Sequence, residues 1–233
     1  MLVVLLLGGY FYFRNNKQRQ AISALEKNQM RQKLLLSQMN PHFIFNSLQN
    51  IRSLIRGKQD DAAIDYLGKF SKLTRQVLEN SDEDYISLSD EVAMITNYLT
   101  LQQLSGHAFD FKVTVADAIN PESILLPPML TQPFVENAIR HGVSAREAGG
   151  CIAVRFYLEG NQLFFEVTDN GNGFQSHRKQ AGHKSMSMGI TRERLAHYTK
   201  NRDIAIKADN LKDKDQNTIG ARVGFEIPYI YEN

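Results

Sequence analysis

The sequence predicts an α+β protein in which helices come first and an α/β sandwich follows. Three observations predict it. Apolar residues recur every three or four positions as far as Leu104. Beyond Gly106 the pattern changes to alternation, Phe109, Phe111, Val113 and Val115 standing on one face of a strand. A proline-led helix then separates this strand from further alternating stretches.

The first element is short. Residues 2–13, LVVLLLGGYFYF, carry no charge, and Arg14, Lys17 and Arg19 follow closely. Twelve helical residues reach about 18 Å, less than the roughly 30 Å of a bilayer core. The positive start and small-residue cleavage site of a secretory signal are missing. Aromatic residues 10–13 followed by basic ones resemble the cytoplasmic end of a transmembrane helix. The expectation is that residues 1–14 end a membrane helix cut by the start of the chain, with a sensor region upstream. A buried helix start is the plainer alternative.

A long helical pattern occupies 17–56, with Ile22, Leu25, Leu36, Met39 and Phe43 among its apolar positions. Gly57 and the pair Asp60-Asp61 punctuate it. A second helix, about 60–80, presents Ile64, Leu67, Phe70, Leu73 and Val77. A third runs to about Leu104, with Ser89 or Asp90 as the expected N-cap. Pro127-Pro128 precede a helix through His141, for which Gly142 is the expected stop. Strands are expected at 151–158 and 162–168, joined through Glu159-Gly160-Asn161. Residues 170–187 are polar, Gly-, Ser-, His- and Lys-rich, and too long for an ordinary connection, which points to function. A helix at 189–199 and strands near 203–208 and 221–228 complete the pattern.

Composition narrows the function. Hydrophobic residues make up 42% of 233, enough for a packed core. Cys151 is the one cysteine, so a disulfide framework and a cysteine zinc site are excluded. A net charge of +2 argues against direct nucleic-acid binding. Residues 1–80 nevertheless hold twelve Lys and Arg against five Asp and Glu, whereas the remainder has an acidic excess. Two parts with different electrostatic tasks account for this.

Four constellations carry chemistry. The first is Asn40-Pro41-His42-Phe43-Ile44-Phe45-Asn46-Ser47-Leu48. Proline inside a helix costs about 3 kcal/mol, so its presence needs a reason. His42 follows it directly and Asn46 lies one turn further along the same face. A neutral imidazole can attack phosphorus and form a labile phosphoramidate. On spacing alone, a packed or solvated histidine is the plainer alternative. The second is Glu136-Asn137-Ala138-Ile139-Arg140-His141-Gly142, where a bland solvent face is the alternative. The third is Asp169-Asn170-Gly171-Asn172-Gly173. A hairpin turn would explain Asn-Gly there, but residues 175–183 do not alternate as a returning strand should. The fourth spans 184–195, with Ser185, Ser187 and Gly189 before a helical stretch.

Asn-Pro-His-Phe-Ile-Phe-Asn-Ser-Leu, followed by Leu-Pro-Pro-Met-Leu-Thr-Gln-Pro-Phe-Val-Glu-Asn-Ala-Ile-Arg-His-Gly, resembles the signature of LytS-type sensor histidine kinases over about 30–230. The resemblance implies a helical dimerisation and phosphoacceptor region at 15–105 and a GHKL-type ATP-binding sandwich at 106–233. It makes His42 the phosphoacceptor, although Phe43 stands where many other sensor kinases have an acidic residue acting as base. Asn46 would orient water against a regulator's aspartyl phosphate, the alternative being a bond to a backbone carbonyl freed by Pro41. Asn137 would hold Mg2+ on ATP, with Arg140 and His141 near phosphate oxygens. Pro133 occupies the place of the catalytic Glu of ATP-hydrolysing relatives, which favours phosphoryl transfer over hydrolysis. Asp169 would accept from the adenine amino group, with Gly171 and Gly173 in the pocket wall. Ser187 and Gly189 would lie at the second glycine box, where Ser185 and Ser187 replace glycines, and Ala221 replaces the usual threonine of a later Gly-Thr-x-Val strand. The implied partners are a response regulator, of LytTR type in much of the family, and a second copy of the chain. The implied location is the bacterial plasma membrane with the catalytic part in the cytoplasm. A nucleotide-binding signalling scaffold without catalysis is the alternative, motivated by the serine-for-glycine changes. A GHKL ATPase or chaperone does not explain Asn-Pro-His.

Overall fold

Helix α1 is described from Pro41 to Arg56 and stops in a turn in which Gly57 N donates to Ser53 O and Lys58 takes a left-handed φ of 56°. The structure, a computed structural model, describes residues 14, 41–144, 149–174, 195, 198 and 204–232, and only the backbone of Pro41, His42 and Asp82. The chain divides after Asn46 into two compact units. Of the first, the described part is Arg14 and the opening turns of α1. The expected helix over 17–40 and the apolar residues 2–13 lie outside the described residues. Among the described residues, no helix is long and apolar enough to cross a membrane.

The second unit begins within α1. Helix α2, Asp60–Asp82, carries Asp60 and Asp61 in its first turn, where carboxylates favour the positive end of the helix dipole. Ala63, Tyr66, Leu73 and Val77 form its buried stripe. Ile64 and Leu67, grouped with that stripe in the sequence, point outward at 69% and 48% exposure. The helix therefore has two apolar faces, and one is covered by its own chain. Strand β1, Ile86–Ser87, leads into α3, Leu88–Leu104. The N-cap of α3 is Ser87, not Ser89 or Asp90: its extended backbone lets Oγ accept from Asp90 N at 3.0 Å. Leu88 thereby becomes the first helical residue and is fully buried.

The α3 helix joins the other helices through polar contacts. Asn97 Nδ2 donates to Gln76 Oε1 of α2 at 2.8 Å. The Tyr66 hydroxyl, 1% exposed, donates to Ser47 Oγ at 3.2 Å and lies 2.8 Å from Ser105 Oγ, at the end of α3. Asn50 Nδ2 of α1 donates to Leu104 O.

The sandwich contains β2 (Phe109–Val115), β3 (Ile124–Leu126), α4 (Gln132–Asn137), β4 (Gly150–Glu159), β5 (Gln162–Asp169), β6 (Lys207–Lys212), β7 (Thr218–Ile227) and β8 (Ile230–Tyr231). Five strands form one sheet in the order β2-β4-β5-β7-β6, and β1-β3-β8 form a small antiparallel one. β2 and β4 are parallel, so the chain must cross over between them, and β3 and α4 lie on that crossover. β4 and β5 form the expected hairpin, with Glu159 opposite Gln162 and Gly160 at φ 60°. Alternation drives Ile152, Val154, Phe156, Leu163, Phe165, Val167, Val223, Phe225 and Ile227 to one face, where Phe134 of α4 rests 5.0 Å from Phe225 and 6.3 Å from Phe165.

Candidate nucleotide site

The site is built where α4 crosses the end of β5. Pro133 sits in the first turn of α4, where a missing N–H costs little. Beyond Asn137 the helix widens into a π turn, Ala138–Val143. Gly142 is therefore inside the turn and not a stop. Its role is steric: a Cβ there would stand 2.5 Å from Asp169 Cγ. Two further glycines close in from other sides. A Cβ on Gly171 would meet Gly142 O at 2.2 Å, and one on Gly220 would meet Asp169 O at 1.9 Å. Three stretches of backbone thus pack closely around Asp169 and Gly142.

Asp169 is 8% exposed. Its Oδ1 accepts from Gly171 N at 2.9 Å, and no ion pair to it occurs among the described residues. Burial pushes its carboxyl above the ordinary value, and the backbone N–H groups of Gly171 and Ala221 draw it part of the way back. Compensated by backbone donors among the described residues, the buried carboxylate retains acceptor capacity for a ligand that brings its own N–H. That acceptor suits an amino-substituted base, and the backbone at Gly142 and Gly171 packs beside it without a side chain of its own.

Two asparagines fix the loop that follows. Asn170 Oδ1 accepts from Cys151 N and its Nδ2 donates to Gly149 O, both at 2.8 Å. This side-chain clamp, not a hairpin, explains Asn-Gly at the end of β5. Asn210 of β6 accepts from Phe174 N at 2.6 Å and donates to Phe174 O at 3.1 Å. Gly173, at φ 67°, passes so close that a Cβ would lie 2.4 Å from Thr218 Cγ2 and 2.6 Å from Asn210 Oδ1.

Of the residues singled out in the sequence, Gly142, Asp169 and Gly171 are in direct apposition, and Gly173 follows in the same loop. Asn137 is half-buried, and Arg140 and His141 are exposed, all on the helix that carries Gly142. His42 lies on α1 in the first unit, as does Asn46, which is exposed. Ser187 and Gly189 lie outside the described residues. Sequence reasoning gave no role to Asn170, Asn210 or Gly220's close approach, because each depends on a partner remote in sequence. Among the described residues no group of three or more His, Cys, Asp or Glu forms a metal cage. An amide oxygen such as that of Asn137 suits Mg2+ that is held mainly by phosphates and water.

Several known proteins are similar to this chain. A family model described as Histidine kinase matches residues 30–107. Sensor histidine kinase BtsS of Escherichia coli K12 is 34% identical over 167 residues, which cover 70% of this chain and 28% of that protein. Sensor protein LytS of Oceanobacillus iheyensis is 30% identical over 226 residues, covering 89% of this chain and 37% of the relative. The chain thus spans about a third of the length of these curated relatives. Among solved structures, the histidine kinase domain of a blue-light activated histidine kinase from Erythrobacter litoralis EL346 aligns with a TM-score of 0.47 at 15% identity, over 75% of this chain and 82% of that one.

Proposed function

We propose that this chain, a homologue of the LytS-type sensor histidine kinases, is an ATP-dependent protein-histidine kinase that phosphorylates His42. The reading rests above all on Asp169, a buried carboxylate inside a glycine cradle with no cation beside it among the described residues. Asp169 accepts from the adenine amino group, and the backbones of Gly171 and Gly173 line the pocket. Asn137 contributes an amide oxygen to Mg2+, with Arg140 and His141 on the phosphate side and Ser187 and Gly189 in the second glycine box. Bound Mg2+ supplies charge neutralisation on the triphosphate.

The imidazole of His42 uses a ring nitrogen lone pair to form a P–N bond to the γ-phosphorus, while the bond from that phosphorus to the bridging oxygen breaks and ADP leaves. An aspartate of a response regulator then takes the phosphoryl group, which restores the imidazole. Residues 15–105 form the dimerising and phosphoacceptor region and 106–233 the ATP-binding domain. The outward apolar residues Phe45, Leu48, Ile55, Ile64, Leu67 and Leu78 support a homodimer, because a four-helix arrangement would cover them. Residues 2–13 meet the plasma membrane and the remainder is cytoplasmic, with a LytTR-type regulator as partner.

The test is incubation of the full chain with γ-labelled ATP and Mg2+. The expected result is label that is stable in base and lost in acid, and absent from Asp169→Asn. A chain that binds ATP and gains no acid-labile label contradicts the reading.

A further inference from the structure

Glu91 of α3 is 0% exposed and faces the segment that leads into α4. Its Oε2 accepts from Met129 N at 3.2 Å, and its Oε1 accepts from the Thr131 hydroxyl. Met129 has a φ of 58°, a left-handed conformation that a residue with a side chain rarely adopts. Thr131 is the N-cap of α4, yet its hydroxyl does not cap the helix, because it is given to Glu91. Met129, Leu130 and Thr131 are all buried.

Burying a carboxylate is a costly way to fill this space, since apolar side chains of similar volume commonly serve stability as well or better. The carboxylate does what an apolar residue cannot. It holds two donors two residues apart and fixes the backbone turn from which α4 starts. Asn137 lies six residues beyond Thr131, at the end of a helix only six residues long. Two anchors flank that amide in the chain: the Gly142–Asp169 contact after it and the Glu91 contacts before it.

We infer that Glu91 is a positioning residue for the Mg2+-binding amide of Asn137, acting through the Met129–Thr131 turn. The inference rests on the nucleotide-site reading above. It separates two parts of that site, because Asp169, which receives the base, is held by β5 and not by Glu91.

The experiment titrates a fluorescent ATP analogue (TNP-ATP) into the full chain, once with Mg2+ and once with EDTA. With Mg2+, Glu91→Gln is expected to bind about tenfold more weakly than wild type, the scale of one hydrogen bond to a charged group, and with EDTA within about twofold. Thr131→Val should shift in the same direction, and Thr131→Ser should retain wild-type affinity in both conditions. Amide hydrogen exchange of the nucleotide-free chain should quicken over 132–143 in Glu91→Gln. Unchanged affinity with Mg2+ overturns the inference, as does equal weakening in both conditions, which marks general loosening of the fold. Should Glu91→Gln not fold, Thr131→Val decides by the same criteria. Asn137→Ala separates the two claims. If it loses the Mg2+-dependent affinity while the Glu91 and Thr131 variants keep it, this inference alone fails. If it keeps that affinity, the metal role of Asn137 fails and the inference with it.

Discussion

Gly142 and Asp169 approach so closely that a Cβ on the glycine would lie 2.5 Å from the carboxylate carbon. The contact ties the π turn of α4 to the end of β5, and so joins the two halves of the proposed nucleotide site. Gly142→Ala must displace either the turn or the carboxylate. We expect ATP affinity to fall by about tenfold or more and stability by about 1–3 kcal/mol, the usual cost of overpacking. Gly171→Ala should be worse, because its Cβ would meet backbone at 2.2 Å, not a side chain. Calorimetric ATP titration and urea unfolding of both variants measure these effects.

Asp169 supplies a prediction with a sign. Its carboxyl lies above the ordinary value in the fold, chiefly through burial, so the folded chain binds this proton more tightly than the unfolded chain does. Its contribution to stability is therefore largest below the unfolded pKa and is lost as pH rises through the raised folded one. Asp169→Asn lacks this dependence. The stability difference between the two proteins should move in favour of wild type as pH falls through that window. ATP affinity should move the other way, weakening on acidification in wild type only, because a protonated carboxyl is a poorer acceptor for the adenine amino group. Denaturant midpoints and titrations across acidic pH read both slopes.

Ser87 caps α3 and also lies 2.7 Å from the Asp90 carboxylate. Ser87→Ala should cost about 1 kcal/mol, whereas Ser89→Ala, at the position first expected to cap, should cost less. Urea unfolding of the two variants distinguishes them.

Asn46 is exposed on α1, one turn after His42. We predict that Asn46→Ala slows dephosphorylation of a phosphorylated regulator by about tenfold or more, while phosphate still appears on His42 at close to the normal rate. Parallel loss of both rates would assign Asn46 to the helix structure instead.

The helices over 60–82 and 88–104, the large hairpin and the strand at 109–115 were legible because their apolar periods are long enough to read, whereas the helix expected at 189–199 falls largely outside the described residues. Strands β1, β3 and β8, of two or three residues, carry no period and escape sequence reading. The strand expected near 203–208 lies a few residues later, at Lys207–Lys212, and the one expected near 221–228 starts earlier, at Thr218, because the turn between them is held by Asp213 accepting from Asp215 N and Asn217 N, a local device hidden in a polar run. Ile64 and Leu67 were grouped with Leu73 and Val77, since apolar spacing does not say which partner covers a residue. In the site, Asp169, Gly171 and Gly173 were legible as a motif. Gly142 was misread as a helix stop because its reason is a carboxylate 27 positions away. The Glu91 contacts were invisible for the same reason.

The proposed kinase activity depends on phosphate reaching one nitrogen of one side chain. The direct measurement is phosphorylation of the full chain with Mg2+ and γ-labelled ATP, followed by mass-spectrometric mapping of the acid-labile phosphate, in wild type and His42→Gln. The account predicts phosphate on His42 in wild type and no label in His42→Gln, with ATP binding unchanged in the variant. Undiminished acid-labile phosphate on His42→Gln would contradict it.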